Sequence, residues 1–139
     1  MWKKSVCDLT FPIKSFGSLG FNKSRALPKF DLRKSYIIDR EFLHSGGIDH
    51  NYALDDQSME APVAKIYSNK TKMGVEYFTN QQGIQFYTGN MMLNNYVGKY
   101  DRSYGLQHGM CLEPQHFPDA INHSNFPSPI LRKNKNYSL

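Results

Sequence analysis

Cysteine is scarce in this chain of 139 residues. Cys7 and Cys111 are the only two, too few for a disulfide framework and without a CxxC metal pair. A reducing, cytoplasmic setting is the simplest expectation. Long hydrophobic runs are missing too. No window approaches the ~18 continuous apolar residues of a membrane span, so no membrane partner is expected, and the mean hydropathy of −0.59 agrees. The N-terminus lacks the apolar stretch of a secretory signal. Repeats, low-complexity tracts and clean helical spacing of apolar residues are also absent.

Aromatics are what the chain does have: nine Phe, nine Tyr and one Trp, with 40% of residues apolar. That excludes a disordered chain and suits about one domain. The net charge of +5 is placed unevenly. Lys3, Lys4, Lys14, Lys23, Arg25 and Lys29 face one acid, Asp8, in the first thirty residues, and Arg132, Lys133 and Lys135 sit in an acid-free tail. Solvated termini account for this, with a transit peptide as the second reading of the serine-containing start. The basic residues do not interleave with the aromatics, so no nucleic-acid partner is expected.

Residues 1–26 read as irregular, interrupted by Pro12, Gly17 and Gly20. Beyond them the pattern is extended. Ile48–Leu54 alternates, with Ile48, His50, Tyr52 and Leu54 on one face and Asp49, Asn51 and Ala53 on the other. Val63–Tyr67 and Met73–Thr79 are two further strands joined by a polar turn, Ser68 to Lys72. Ile84–Thr88 is a β-prone run between Gly83 and Gly89. Gly109–Glu113 is short and apolar, and Pro114 is expected to end it. Pro118, Pro127 and Pro129 break any helix thereafter. The fold class is all-β.

Several side chains could carry chemistry. His50, on the apolar face of its strand, reads as a packed histidine, and His44 as a loop residue. The other histidines and acids follow no HExxH or comparable spacing, so no metal is expected. Cys111 shares a strand face with Glu113, which makes a thiol nucleophile conceivable, but a small core residue is the expected role. Glu113 closes an apolar strand, where partial removal from water would raise its proton affinity and suit it as a general base. A strand-end glutamate bonded to nearby amides is the equal alternative. Gln85 shares a face with Tyr87 opposite Ile84 and Phe86. It fits either a sugar site, where hydroxyls need an amide, or cross-strand packing on a solvated face.

Two stretches then carry a family resemblance: Gln82-Gly83-Ile84-Gln85-Phe86-Tyr87-Thr88-Gly89-Asn90, and Cys111-Leu112-Glu113-Pro114-Gln115-His116-Phe117-Pro118-Asp119-Ala120-Ile121-Asn122. With Phe126-Pro127-Ser128-Pro129-Ile130-Leu131 and the upstream Gly47-Ile48-Asp49-His50-Asn51-Tyr52, they resemble the galactose mutarotase (aldose 1-epimerase) family. The likeness covers residues 27–139, the C-terminal part of such a domain, and leaves 1–26 unassigned. Gln82, Pro114 and Lys133-Asn134 depart from the family's usual Pro, Thr and Pro-Gly.

The resemblance implies a large antiparallel β-sandwich, here short at both ends, that interconverts the α and β anomers of free aldohexoses such as galactose and glucose without metal or nucleotide cofactor. A glutamate takes the anomeric hydroxyl proton while a histidine protonates the ring oxygen, the ring opens, and closure on the other face gives the second anomer. By motif position Glu113 is the base, and Asp49 and Gln85 bind the sugar. The family's histidines lie N-terminal to the part represented. Little or no activity is therefore expected of this chain alone, with a non-catalytic carbohydrate-binding remnant as the alternative.

Overall fold

The computed structural model describes residues 7–10, 32, 36–39, 42, 43, 45–55, 57–92 and 96–138. Nine strands appear among them: β1 (Cys7–Thr10), β2 (Tyr36–Ile38), β3 (Asp49–Ala53), β4 (Ala64–Ser68), β5 (Gly74–Tyr77), β6 (Gly83–Tyr87), β7 (Tyr96–Val97), β8 (Ser103–Tyr104) and β9 (Cys111–Gln115). They form a four-stranded sheet ordered β2-β1-β4-β5, a three-stranded sheet ordered β3-β6-β9 and a β7-β8 pair. Every pairing is antiparallel. The all-β expectation holds, and no helix among the described residues is long and apolar enough to cross a membrane.

The alternation of side chains explains how the two larger sheets meet. In β6, Ile84 and Phe86 are fully buried while Gln85 and Tyr87 are half-buried. Their ladder partners repeat the pattern: Tyr52 opposite Ile84, and Leu112 opposite Phe86. This face joins Ile38 of β2 and Ala64 of β4 in one hydrophobic core, with Ile66 and Tyr77 packed against it. Each large side chain taken wholly from water, such as Phe86, contributes about 1.5–3 kcal/mol. Since one face of the three-stranded sheet is spent on the core, the residues between must point away from it.

Three local expectations change. Residues 1–26 were expected to be irregular, yet Cys7–Thr10 is a strand held between β2 and β4. Four residues are too few for periodicity to register, and the pairing is long-range. The second change concerns Pro114, which does not end its strand but continues β9 opposite Ile84. β9 is an edge of its sheet, and an edge strand has one side without ladder bonds, where a residue lacking N–H is tolerated. β2, β7 and β8 also went unread, being two or three residues long.

The Ser68–Lys72 turn is where the polar run places it. Ser68 N–H donates to Met73 O at 2.9 Å and Lys72 N–H to Ser68 O at 2.8 Å, which closes the β4–β5 hairpin. The prolines leave only a short 3-10 turn, Ala120–Asn122, after β9.

Candidate functional site

Along β3, β6 and β9 the residues facing away from the core line up in rungs. Asp49, Tyr87 and Cys111 form one, Asn51, Gln85 and Glu113 the next, and Ala53, Gly83 and Gln115 the third. A pocket of about 450 Å³ opens over this face, lined among others by Asp49, Gln85 and Glu113. The three residues singled out from sequence thus come from three different strands into one basin. Register brings them together, not proximity along the chain.

Asp49 is held where it is by the chain just before it. Ile48 N–H donates to Thr88 Oγ1 at 2.8 Å, and Asn90 Nδ2 donates to Ile48 O at 2.9 Å. Thr88 Oγ1 also bonds Asn90 Oδ1 at 2.6 Å, so a buried polar clasp joins the entry of β3 to the exit of β6. Gly47 precedes the clasp with φ +63°, and a Cβ there would collide with Asn90 Oδ1 and Thr88 Oγ1. Only glycine fits. Directly after this fixed point, the exposed Asp49 carboxylate accepts a 2.6 Å hydrogen bond from Gln85 Nε2.

Tyr87, Met91, Gln115 and Pro118 also line the pocket, and sequence reading gave them no role. Tyr87 was legible as a face-mate of Gln85. Its hydroxyl oxygen accepts the Met91 N–H at 2.8 Å, which fixes the ring against the following turn. Gln115 shares a β9 face with Glu113 by the same two-residue period. Met91 carries no sequence signal, because the turn after Gly89 alone brings it here. Together the basin offers carboxylates and amides for hydroxyl groups and a ring for an apolar C–H surface.

Two expectations fail at the level of exposure. Glu113 is exposed, so the partial burial on which its role as a tuned base was argued is not found. It stands on the edge strand β9, on the face turned away from the core. Cys111 is not a core residue either: it is a free, exposed cysteine on that same face, while its neighbour Leu112 turns inward against the core. A β-strand sends adjacent residues to opposite sides, so apolar neighbours do not bury a thiol.

None of the described histidines lines the pocket. His50 lies on the core face of β3, half-buried, as expected. His116 Nδ1 is 2.9 Å from Gln82 Oε1, and its ring centroid is 6.5 Å from that of Tyr137. His123 Nε2 lies 3.3 Å from Asp119 Oδ2, and Gly105 N–H donates to His108 Nδ1 at 3.1 Å. His44 falls outside the described residues. Among the described residues, no three His, Cys, Asp or Glu gather closely enough to hold a metal ion.

The chain is 36% identical over 110 residues to galactose mutarotase of Homo sapiens and 35% identical over 111 residues to that of Rattus norvegicus, covering 78% of this chain and 32% of each relative. Aldose 1-epimerase of Escherichia coli K12 is 32% identical over 125 residues, 84% of this chain and 36% of the bacterial protein. The chain therefore spans about a third of the length of the curated relatives it matches. The family model described as aldose 1-epimerase matches residues 10–139, and with that match, on an antiparallel sheet bearing the expected residues, the chain belongs to the aldose 1-epimerase family.

Proposed function

We propose that this chain carries the sugar-facing carboxylates and amides of a mutarotase site, for which the substrate is a free aldohexose such as galactose or glucose. In this reading Asp49 and Gln85 hold sugar hydroxyls. Glu113 takes the proton from the anomeric hydroxyl, making that oxygen electron-rich enough to expel the ring oxygen. A general acid must protonate the departing ring oxygen, since each correctly placed proton-transfer partner contributes roughly 10²–10⁴ in rate. The open aldehyde rotates and recloses on its other face as the second anomer. No metal or nucleotide takes part, and the exposed free Cys111 fits a reducing, cytoplasmic setting.

The observation that carries the proposal is the convergence of Asp49, Gln85 and Glu113, one from each strand of the sheet, on one pocket. A second reading, sugar binding without catalysis, is favoured by the absence of any described histidine from the pocket lining. Two measurements separate them. Calorimetric titration with galactose is expected to give saturable binding that Asp49→Ala removes, and no binding of any aldohexose overturns both readings. Polarimetry on freshly dissolved α-D-glucose is expected to relax at its background rate with this chain alone. An acceleration that Glu113→Gln abolishes shows instead that the chain is a complete catalyst.

A further inference from the structure

Asn51 sits in the middle of β3 on the pocket side of the sheet, and it is only 6% exposed. Neither Nδ2 nor Oδ1 has a hydrogen-bond partner among the described residues. A buried primary amide with all of its bonding capacity unused is costly, and such groups are rare in folded proteins. Its position is nonetheless well defined. A Cβ on Gly83 would lie 2.6 Å from Asn51 Oδ1 and 3.2 Å from Nδ2, so the amide fills the space that this glycine leaves. Across the ladder its direct partner is Gln85, and cross-strand partners have Cβ atoms about 4.5–5.5 Å apart, within reach of two amide side chains.

Gln85 is committed elsewhere in the sugar-free chain, donating to Asp49 Oδ1 at 2.6 Å. That bond occupies a carboxylate oxygen on the pocket wall. A hydroxyl that arrives at this same oxygen, Oδ1, competes with the Gln85 bond. We propose that Asn51 is a positioning residue that receives Gln85 when a sugar hydroxyl takes its place on Asp49. This rests on the reading of the pocket as an aldose site. With Asn51 Nδ2 donating to Gln85 Oε1, the Gln85 Nε2 group is released to donate to a sugar oxygen. An amide can donate and accept at once, so the exchange leaves neither side chain unpaired. The unsatisfied Asn51 of the empty site thereby becomes a satisfied group of the filled one, and the gain appears as affinity.

The test follows the side-chain NH2 signals of the ¹⁵N-labelled full chain by NMR during titration with galactose, together with thermal melting of variants. The signals of Gln85 and Asn51 are expected to move together along one binding curve. Asn51→Leu is expected to weaken galactose binding about tenfold, the scale of one hydrogen bond, while the sugar-free melting temperature holds or rises, because an unpaired amide has been removed. Asn51→Ser, which keeps a donor and an acceptor, recovers part of that affinity. Galactose that moves Gln85 but leaves the Asn51 signal still overturns the proposal without recourse to any variant. So does wild-type affinity in Asn51→Leu. If the wild-type chain binds no galactose, the aldose reading falls and this proposal with it, whereas binding indifferent to Asn51 removes the proposal alone.

Discussion

Thr88 is the residue on which the placement of Asp49 depends. It is 1% exposed, and its hydroxyl oxygen accepts the Ile48 N–H while also bonding Asn90 Oδ1. Thr88→Val keeps the shape and deletes the hydroxyl, leaving a buried N–H without a partner. A loss of about 1–3 kcal/mol is expected by urea denaturation, together with weaker galactose binding, because Asp49 follows the released Ile48 directly. Gly47→Ala meets both a φ of +63° and two occupied oxygen positions, and a comparable or larger destabilisation is expected in the same assay. Asp49, Gln85 and Glu113 were each legible in the chain as members of motifs. The state of Glu113 and Cys111 was not, since exposure depends on which face of a strand is covered, and nothing local to Met110-Cys111-Leu112-Glu113 records that.

Elements were read best where they alternate over five residues. β3 and β6 emerged from Ile48–Leu54 and Ile84–Thr88 with the two faces of each strand separated as the sheet has them, because burial of one face forces a two-residue period. The β4–β5 hairpin emerged from its polar turn. Lys72 in that turn adopts φ +59°, a left-handed conformation that costs a non-glycine residue roughly 1–2 kcal/mol. Glycine removes that strain but gains freedom in the unfolded chain. Lys72→Gly is therefore expected to stabilise by only about 0.5 kcal/mol, read as a shift in urea midpoint with unchanged slope. β9 was misjudged at Pro114 for a reason visible only in the sheet. A proline ends a central strand but can remain in an edge strand, and the sequence does not say which of these β9 is.

At the level of the molecule, the four-stranded sheet ends at β5, and beyond it no strand is found among the described residues. Val75 stands opposite Ile66 on the side that packs against the core, yet it is 54% exposed. Met73 and Phe78 beside it are exposed as well. An unpaired edge next to exposed apolar side chains invites association. Sedimentation velocity is expected to show mass rising with concentration, and Val75→Lys, which puts a charge on the edge strand, is expected to suppress it. The candidate groups are written in order along the chain, an aspartate, an amide and a glutamate in separate motifs, and strand periodicity is enough to set Asp49 and Gln85 opposite the apolar faces of their strands. Their meeting in one basin came from pairing register, as did the exposure of Glu113, the persistence of β9 through Pro114 and the isolation of Asn51. These are long-range facts, set when strands distant in the chain settle side by side and one face of the sheet is covered while the other stays open.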